Sequence, residues 1–333
     1  MRLLVLGGTH HVGRAAVEHA LDRGDAVTTV NRGLAGPAAA GVDARTADRR
    51  TPGALADALG DDEWDAVLDT WSFEPRVVRE SARLLADRVG HYGYVSSRSV
   101  YSWPIPSGAD ESAPVVEADP AGSESGDYAA DKRGGELAVL ESFGDRCLLA
   151  RAGLILGPYE VVGRLPWWLG RIARGGRVAA PGPVDRPLQY VDGRDLVGWM
   201  IRAAEAGTVG AFNAVSQPGH TTIGALLDAC LAATGSGAEL VWLTPEQVEA
   251  AGVSGWTSLP IWVPPTGELA ALHDGDTSAA QEAGLVCRPV EETVSDTWAW
   301  LQREGWPEPP SRRAGEIGLS AEQEARLLAP EAG

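Results

Sequence analysis

The feature that most narrows the fold lies at the start of the chain. The apolar run Leu3–Leu6 ends in Gly7-Gly8-Thr9-His10-His11-Val12-Gly13, and a helical pattern follows at once. A short apolar run bounded by glycines reads as a buried strand. In Val12–Arg23 the positions Val12, Ala15, Ala16, Ala20 and Leu21 fall near the spacing of one helix face. A strand, a glycine turn and a helix N-terminus aim backbone N–H groups and the positive end of the helix dipole at one point, which suits a pyrophosphate. Glycine patterns are common, so the location of this one at the first strand–helix junction gives it weight that the pattern alone lacks. Gly7, Gly8, Thr9, His10, His11, Val12 and Gly13 are the candidate dinucleotide contacts. The His11 ring is expected to face solvent or the loop.

From there to about residue 150, short apolar runs alternate with amphipathic stretches, the mark of repeated strand–helix units on a parallel sheet. Strands are predicted at Leu3–Leu6, Ala26–Val30, Ala66–Leu68, Tyr92–Val95 and Leu148–Ala150. Helices are predicted at Val12–Arg23, Gly53–Leu59, Pro75–Leu85 and Tyr128–Phe143. The Gly-, Pro-, Ser- and Asp-rich stretch from Pro104 to Gly126 breaks this rhythm, and a structureless segment of that length is often a functional lid. Beyond Gly157 prolines and glycines punctuate tryptophans. Gln189-Tyr190-Val191 reads as a late strand of the first domain, with a helix over Leu196–Ala206. The predicted organisation is a cofactor domain over 1–156, to which 186–215 returns, and a smaller discontinuous substrate domain over 157–185 and 216–310. A tail over 311–333 carries one short helix at Ala321–Leu328.

Composition excludes several function classes. The formal net charge of −18 disfavours nucleic acid, whose binding draws most of its affinity from Lys and Arg. The arginines between Arg164 and Arg177 are too few to reverse that. No apolar run approaches the roughly 20 residues that span a bilayer, so no membrane partner is expected. Cys147, Cys230 and Cys287 lie far apart without a CxxC pair. That argues against a disulfide framework or a metal site and makes a reducing cytoplasm the natural setting.

The choice of cofactor is read at the end of the second strand, Val30-Asn31-Arg32-Gly33. A carboxylate there would take the ribose 2′-hydroxyl of NAD and repel a 2′-phosphate. Asn31 can instead donate a hydrogen bond, and Arg32 can pair with the phosphate and stack on adenine. NADP(H) is therefore expected ahead of NAD(H). Downstream, Tyr128-Ala129-Ala130-Asp131-Lys132 places a phenol and an amine four residues apart in a helical stretch. Four residues are about one turn, so both side chains leave one face roughly 6 Å apart along the axis. A free tyrosine, with a pKa of about 10, holds its proton at neutral pH. A nearby ammonium favours the phenolate, which lets tyrosine exchange a proton with a substrate oxygen.

These motifs resemble those of the extended short-chain dehydrogenases/reductases, the NAD(P)-dependent epimerase/dehydratase-like group. The glycine loop resembles their GxxGxxG, with His10 in place of the middle glycine. Tyr94-Val95-Ser96-Ser97-Arg98-Ser99-Val100-Tyr101 is similar to their SSxxVY segment, and Leu148–Pro158 to their sixth strand and Gly-Pro turn. The match covers the first 160 residues well and continues weakly through Arg186–Asp192. The resemblance implies a Rossmann-type doubly wound parallel α/β sheet with a smaller C-terminal domain. It implies Ser97, Tyr128 and Lys132 as catalytic residues, with Lys132 on the nicotinamide ribose. It also implies cofactor contacts from Asp48, Arg49, Ser96, Gly153, Leu154 and Ile155, and a homodimer through two helices of the first domain.

On the substrate side, Trp71 falls just past the fourth strand, at the edge where open α/β sheets bind ligands. Trp167, Ser99 and Arg186 are the further candidates, Arg186 facing either a substrate anion or a carboxylate of the chain. The leading expectation is an NADP(H)-dependent reductase or dehydrogenase acting on a carbonyl/alcohol pair of a small, partly apolar metabolite. The alternative enzyme is a sugar-nucleotide epimerase or dehydratase with tightly held NAD. A third class, non-catalytic, takes in relatives that sense cofactor or bind RNA.

Overall fold

The computed structural model describes residues 1–34, 39–306 and 317–329. The chain begins with β1 (Arg2–Leu6), α1 (His11–Asp22), β2 (Ala26–Asn31), β3 (Asp43–Thr46), α2 (Ala54–Leu59) and β4 (Trp64–Asp69). It continues with α3 (Pro75–Leu85), β5 (Val89–Ser97), a 3-10 turn at Arg98–Val100, α4 (Tyr128–Phe143) and β6 (Cys147–Ala152). Next come β7 (Leu154–Leu156), α5 (Arg164–Ala173), β8 (Arg177–Pro181), β9 (Pro187–Leu188), β10 (Tyr190–Asp192), α6 (Gly193–Glu205) and β11 (Gly210–Ala214). The remainder is β12 (Thr221–Thr222), α7 (Ile223–Thr234), β13 (Glu239–Leu243), α8 (Pro245–Ala250), β14 (Gly255–Trp256), β15 (Leu259–Pro260), α9 (Ser278–Glu282), α10 (Val290–Glu304) and α11 (Ala321–Leu327).

Seven strands form one sheet in the order β3-β2-β1-β4-β5-β6-β11, and every pairing is parallel. Side chains alternate across it. Leu3 and Val5 enter a core shared with α1 and α6, while Leu4 and Leu6 enter a core shared with α2, α3 and α4. Both faces are covered, so Leu3–Leu6 of β1 is apolar at every position rather than alternating. Each fully buried leucine contributes about 1.5–3 kcal/mol. This is a Rossmann-type α/β fold, as the strand–helix rhythm predicts. Strand order reverses between β1 and β4, which opens a crevice over their carboxyl ends.

The late strand differs from expectation. Gln189-Tyr190-Val191 overlaps β10, which pairs with β7 outside the large sheet. The seventh strand of that sheet is β11, beside β6. A parallel neighbour needs a crossover, and α6 supplies it: the helix packs on α1, and the chain then returns as β11.

The rest of the chain closes over a core of its own. Trp168, Leu169 and Ile172 of α5 meet Leu226 and Leu227 of α7, Trp262, and Val294 of α10. Strands β8 and β13 pair alongside. Of the predicted tail, 311–316 and 330–333 fall outside the described residues. Its short helix is α11, tied down by Glu324 to Arg171 at 2.6 Å. The stretch Pro104–Gly126 is irregular but fastened: Ser102 N–H donates to Pro114, Val116 N–H to Val100, and the Arg151 guanidinium to the Glu111 carbonyl. Among the described residues no helix is long and apolar enough to cross a membrane.

Candidate active site

The glycine turn joins β1 to α1 above the crevice. Gly7 has φ +101°, a left-handed conformation that suits glycine, and a Cβ there would strike Thr70 Oγ1. A Cβ on Gly13 would overlap the Gly7 carbonyl oxygen, so the first turn of α1 can press on the loop only without a side chain. His10 is exposed and extended at the helix start, and its carbonyl accepts from Gly13 N–H at 3.0 Å and Arg14 N–H at 3.2 Å. Partial desolvation of its ring, together with the charge of Arg32, holds its pKa below the ordinary histidine value. Arg32 is exposed just past β2, and Asn31 is half-buried at its end. The turn, His10 and Arg32 thus meet at one edge, and the tight glycine contacts leave the backbone free to approach a pyrophosphate. The residues fit a dinucleotide.

His11 departs from expectation. Its backbone lies at φ +34°, and its ring turns inward, with Nε2 enclosed near Gly193 and lacking a hydrogen-bond partner among the described residues. Burial lowers its pKa to about 4, against the opposing pull of Asp192 and the Leu156 carbonyl. The apolar wall of β7 and α6 takes the ring because α1 packs on α6 directly behind the loop.

Ser96 and Ser97 end β5 and point to opposite faces, as strand neighbours must. Ser96 Oγ donates to Glu136 Oε1 at 2.7 Å, inside a buried cluster that Arg151 Nε joins at 2.9 Å. Its hydroxyl is therefore committed to the core. Ser97 Oγ accepts from Ser99 N–H at 3.1 Å and caps the 3-10 turn. Tyr128 is the first residue of α4, after Asp127, whose carboxylate accepts from Ala129 N–H at 2.9 Å. It is 37 % exposed. Lys132, one turn inward, is 1 % exposed and donates through Nζ to the carbonyls of Trp71 at 2.7 Å and Val95 at 2.6 Å. Helix α4 packs on both β5 and the 3-10 turn. Ser97 and the Tyr128–Lys132 pair thus converge on the carboxyl end of β5.

Three more candidates have partners within the chain. Arg49 is buried, bidentate to Asp69 at 2.7 Å, and also bound to Ser81. Burial pushes the Asp69 carboxyl up, but Arg49 and the Tyr92 hydroxyl outweigh it and hold the group below the usual carboxylate range. Trp167 packs edge-on against Trp168 and beneath Gly318 of the tail, because its neighbour Trp168 takes the core position. Arg186 spends its guanidinium on the carbonyls of Val263, Pro264 and Ala270, the last at 2.7 Å. Among the described residues these partners are main-chain carbonyls, and Asp274 acts on the guanidinium through space.

Asp48 lies two residues past β3, where its carboxylate accepts from Arg50 N–H at 3.0 Å. Trp71 is half-buried past β4, with Nε1 on the Glu74 carbonyl and Arg49 and Arg50 against its ring. Gly153 sits against Val215, and Leu154 and Ile155 pair with Tyr190 and Val191. The carbonyls that hold Lys132 were not anticipated, because main-chain acceptors leave no signal in residue type.

The family model for the NAD dependent epimerase/dehydratase family matches residues 3–214. No curated protein matches the chain in sequence. Among solved structures it is similar to the Bordetella bronchiseptica enzyme WbmH in complex with NAD+, at 19 % identity, TM-score 0.68, and coverage of 91 % of this chain and 99 % of that one. It is also similar to a UDP-glucose 4-epimerase of Thermotoga maritima with UDP-glucose, at 17 % identity, TM-score 0.65, and coverage of 91 % and 99 %. A UDP-glucose 4-epimerase of Thermus thermophilus complexed with NAD gives 20 % identity, TM-score 0.61, and coverage of 91 % and 100 %. The chain belongs to the NAD dependent epimerase/dehydratase family.

Proposed function

We propose that the chain is a hydride-transfer enzyme of the epimerase/dehydratase type, holding a pyridine dinucleotide and acting on a sugar-nucleotide carbinol or carbonyl. The observation that carries this reading is the convergence, on one edge of the sheet, of the glycine turn with Ser97 and the Tyr128–Lys132 pair. Gly7 to Gly13 would hold the pyrophosphate, Asn31 and Arg32 the adenosine ribose, and Gly153 to Ile155 the nicotinamide end. A dinucleotide held there would supply and accept the hydride at its nicotinamide ring. Ser97 orients the substrate oxygen by a hydrogen bond, and the Tyr128 phenol exchanges a proton with that oxygen. Lys132 fixes the start of α4 against β4 and β5 and brings positive charge one turn from the phenol. Residues 157–185 and 216–306 receive the substrate. The family match and the UDP-glucose carried by the Thermotoga maritima structure support the sugar-nucleotide class.

A second reading is net reduction of a carbonyl by NADPH. It is favoured by the end of β2, where Asn31 and Arg32 stand in place of a carboxylate and Arg32 lies close enough for its charge to act on His10. One experiment separates the two: mass spectrometry of the purified protein for retained dinucleotide, then incubation with UDP-glucose alone and with NADPH plus a carbonyl panel. Retained NAD and conversion of UDP-glucose without added cofactor support the first reading. Stoichiometric consumption of exchangeable NADPH replaces it with the second.

A further inference from the structure

Arg98 directly follows Ser97 and opens the 3-10 turn that Ser97 caps. It is 2 % exposed. Its side chain passes Gly153 toward the second core, where Nη1 donates to the Leu272 carbonyl at 2.8 Å and to Gln189 Oε1 at 3.3 Å. Gln189 grips the same segment, accepting from Gly275 N–H at 2.8 Å and donating to the Gly275 carbonyl at 2.9 Å. Gly275 lies so close that a Cβ there would collide with Arg98 Nη2. From its other side, 272–276 is held by the long loop: Gly108 N–H donates to the Asp274 carbonyl, and Asp276 N–H to the Ala109 carbonyl.

The guanidinium is incompletely matched. Nε and Nη2 have no hydrogen-bond partner among the described residues, and Asp274 and Glu111 act on Arg98 only through space. Burial accordingly lowers its pKa from the ordinary arginine value. A buried cation resting on neutral acceptors costs stability, and an apolar side chain of similar volume would fill the space more cheaply. What the arrangement supplies is geometry. We infer that Arg98 is a positioning residue, locking the Ser97 turn to the 272–276 segment of the substrate unit so that the Ser97 hydroxyl keeps one aim. The inference rests on the role proposed for Ser97 above.

The test uses the full chain as Arg98→Met, Arg98→Lys and Gly275→Ala. Each is measured for NAD+ and NADPH affinity, thermal midpoint, and kcat and KM with UDP-glucose. Arg98→Met is expected to keep dinucleotide affinity within about twofold and a thermal midpoint at or above the native one. Its kcat falls at least about tenfold with little change in KM, the cost of a misaimed hydroxyl. Arg98→Lys recovers part of the loss, and Gly275→Ala lowers kcat from the opposite side of the contact. Native kcat in Arg98→Met, or a loss that only tracks the folded fraction, overturns the inference. Should Arg98→Met not fold, the other two variants decide it on the same criteria. If the native protein does not turn over UDP-glucose, the proposed substrate fails instead. Amide exchange of Arg98→Lys then decides: joint loss of protection at 97–101 and 272–276 supports the coupling, and unchanged protection rejects it.

Discussion

Lys132 reaches beneath α4 to two main-chain carbonyls, at Trp71 and Val95, and Tyr94 adds its hydroxyl to the same Trp71 carbonyl at 3.0 Å. Main-chain carbonyls do not rotate as side chains do, so these acceptors fix the amine in place. The Tyr128–Lys132 relation was legible in the sequence because one helical turn sets it, whatever the rest of the fold does. Arg49 was not, since its partner Asp69 lies 20 residues away at the end of β4. At Arg32 the expected outcome is specific: Arg32→Ala should weaken NADPH by about 10- to 100-fold, the worth of one charge-assisted hydrogen bond, and NADH far less. Fluorescence titration with both cofactors checks this, and equal losses would remove the 2′-phosphate argument.

Among the elements, α3 and α4 occupy the very spans their patterns predict, Pro75–Leu85 and Tyr128–Phe143. Proline at the start of one and the Asp127 cap of the other mark their ends. Edge strands were harder to see. Strand β3 is Asp-Ala-Arg-Thr and largely exposed, and β11 carries one large apolar residue, Phe212, so neither shows the buried-strand signature that gave β1, β2, β4, β5 and β6. The β1–α1 junction makes the firmest prediction at this scale. Gly13→Ala drives a methyl into the Gly7 carbonyl, and relief must come from shifting α1 off the loop. Dinucleotide binding should fall at least about tenfold, with a stability loss of about 1–3 kcal/mol from overpacking. Calorimetric titration and urea unfolding measure the two, and native affinity in the variant would place the dinucleotide elsewhere.

Across the whole molecule, buried histidines couple the fold to pH. His273 is wrapped by Gln189 and by the Ile261 carbonyl, and burial lowers its pKa to about 4, as it does for His11. Both are neutral in the folded chain and protonate near pH 6.5 once unfolded. The unfolded state therefore binds more protons between those values. Stability is full above about pH 6.5 and drains away as pH falls toward 4, by roughly 3 kcal/mol for each ring. Urea midpoints at stepped pH should show that slope, and His273→Gln should flatten it; an unchanged slope would contradict the assignment. The broad plan, a parallel sheet with a second unit after it, was readable because repeated strand–helix units permit few arrangements. How the loops of that second unit consume Arg186 and shield Trp167 was not, since those contacts join distant segments. The central claim concerns proton exchange at Tyr128, and Tyr128→Phe tests it most directly through paired measurements of dinucleotide affinity and turnover. Affinity should stay within about twofold while turnover falls by about 100-fold or more. Turnover equal to the native protein, with the dinucleotide bound, would contradict the account.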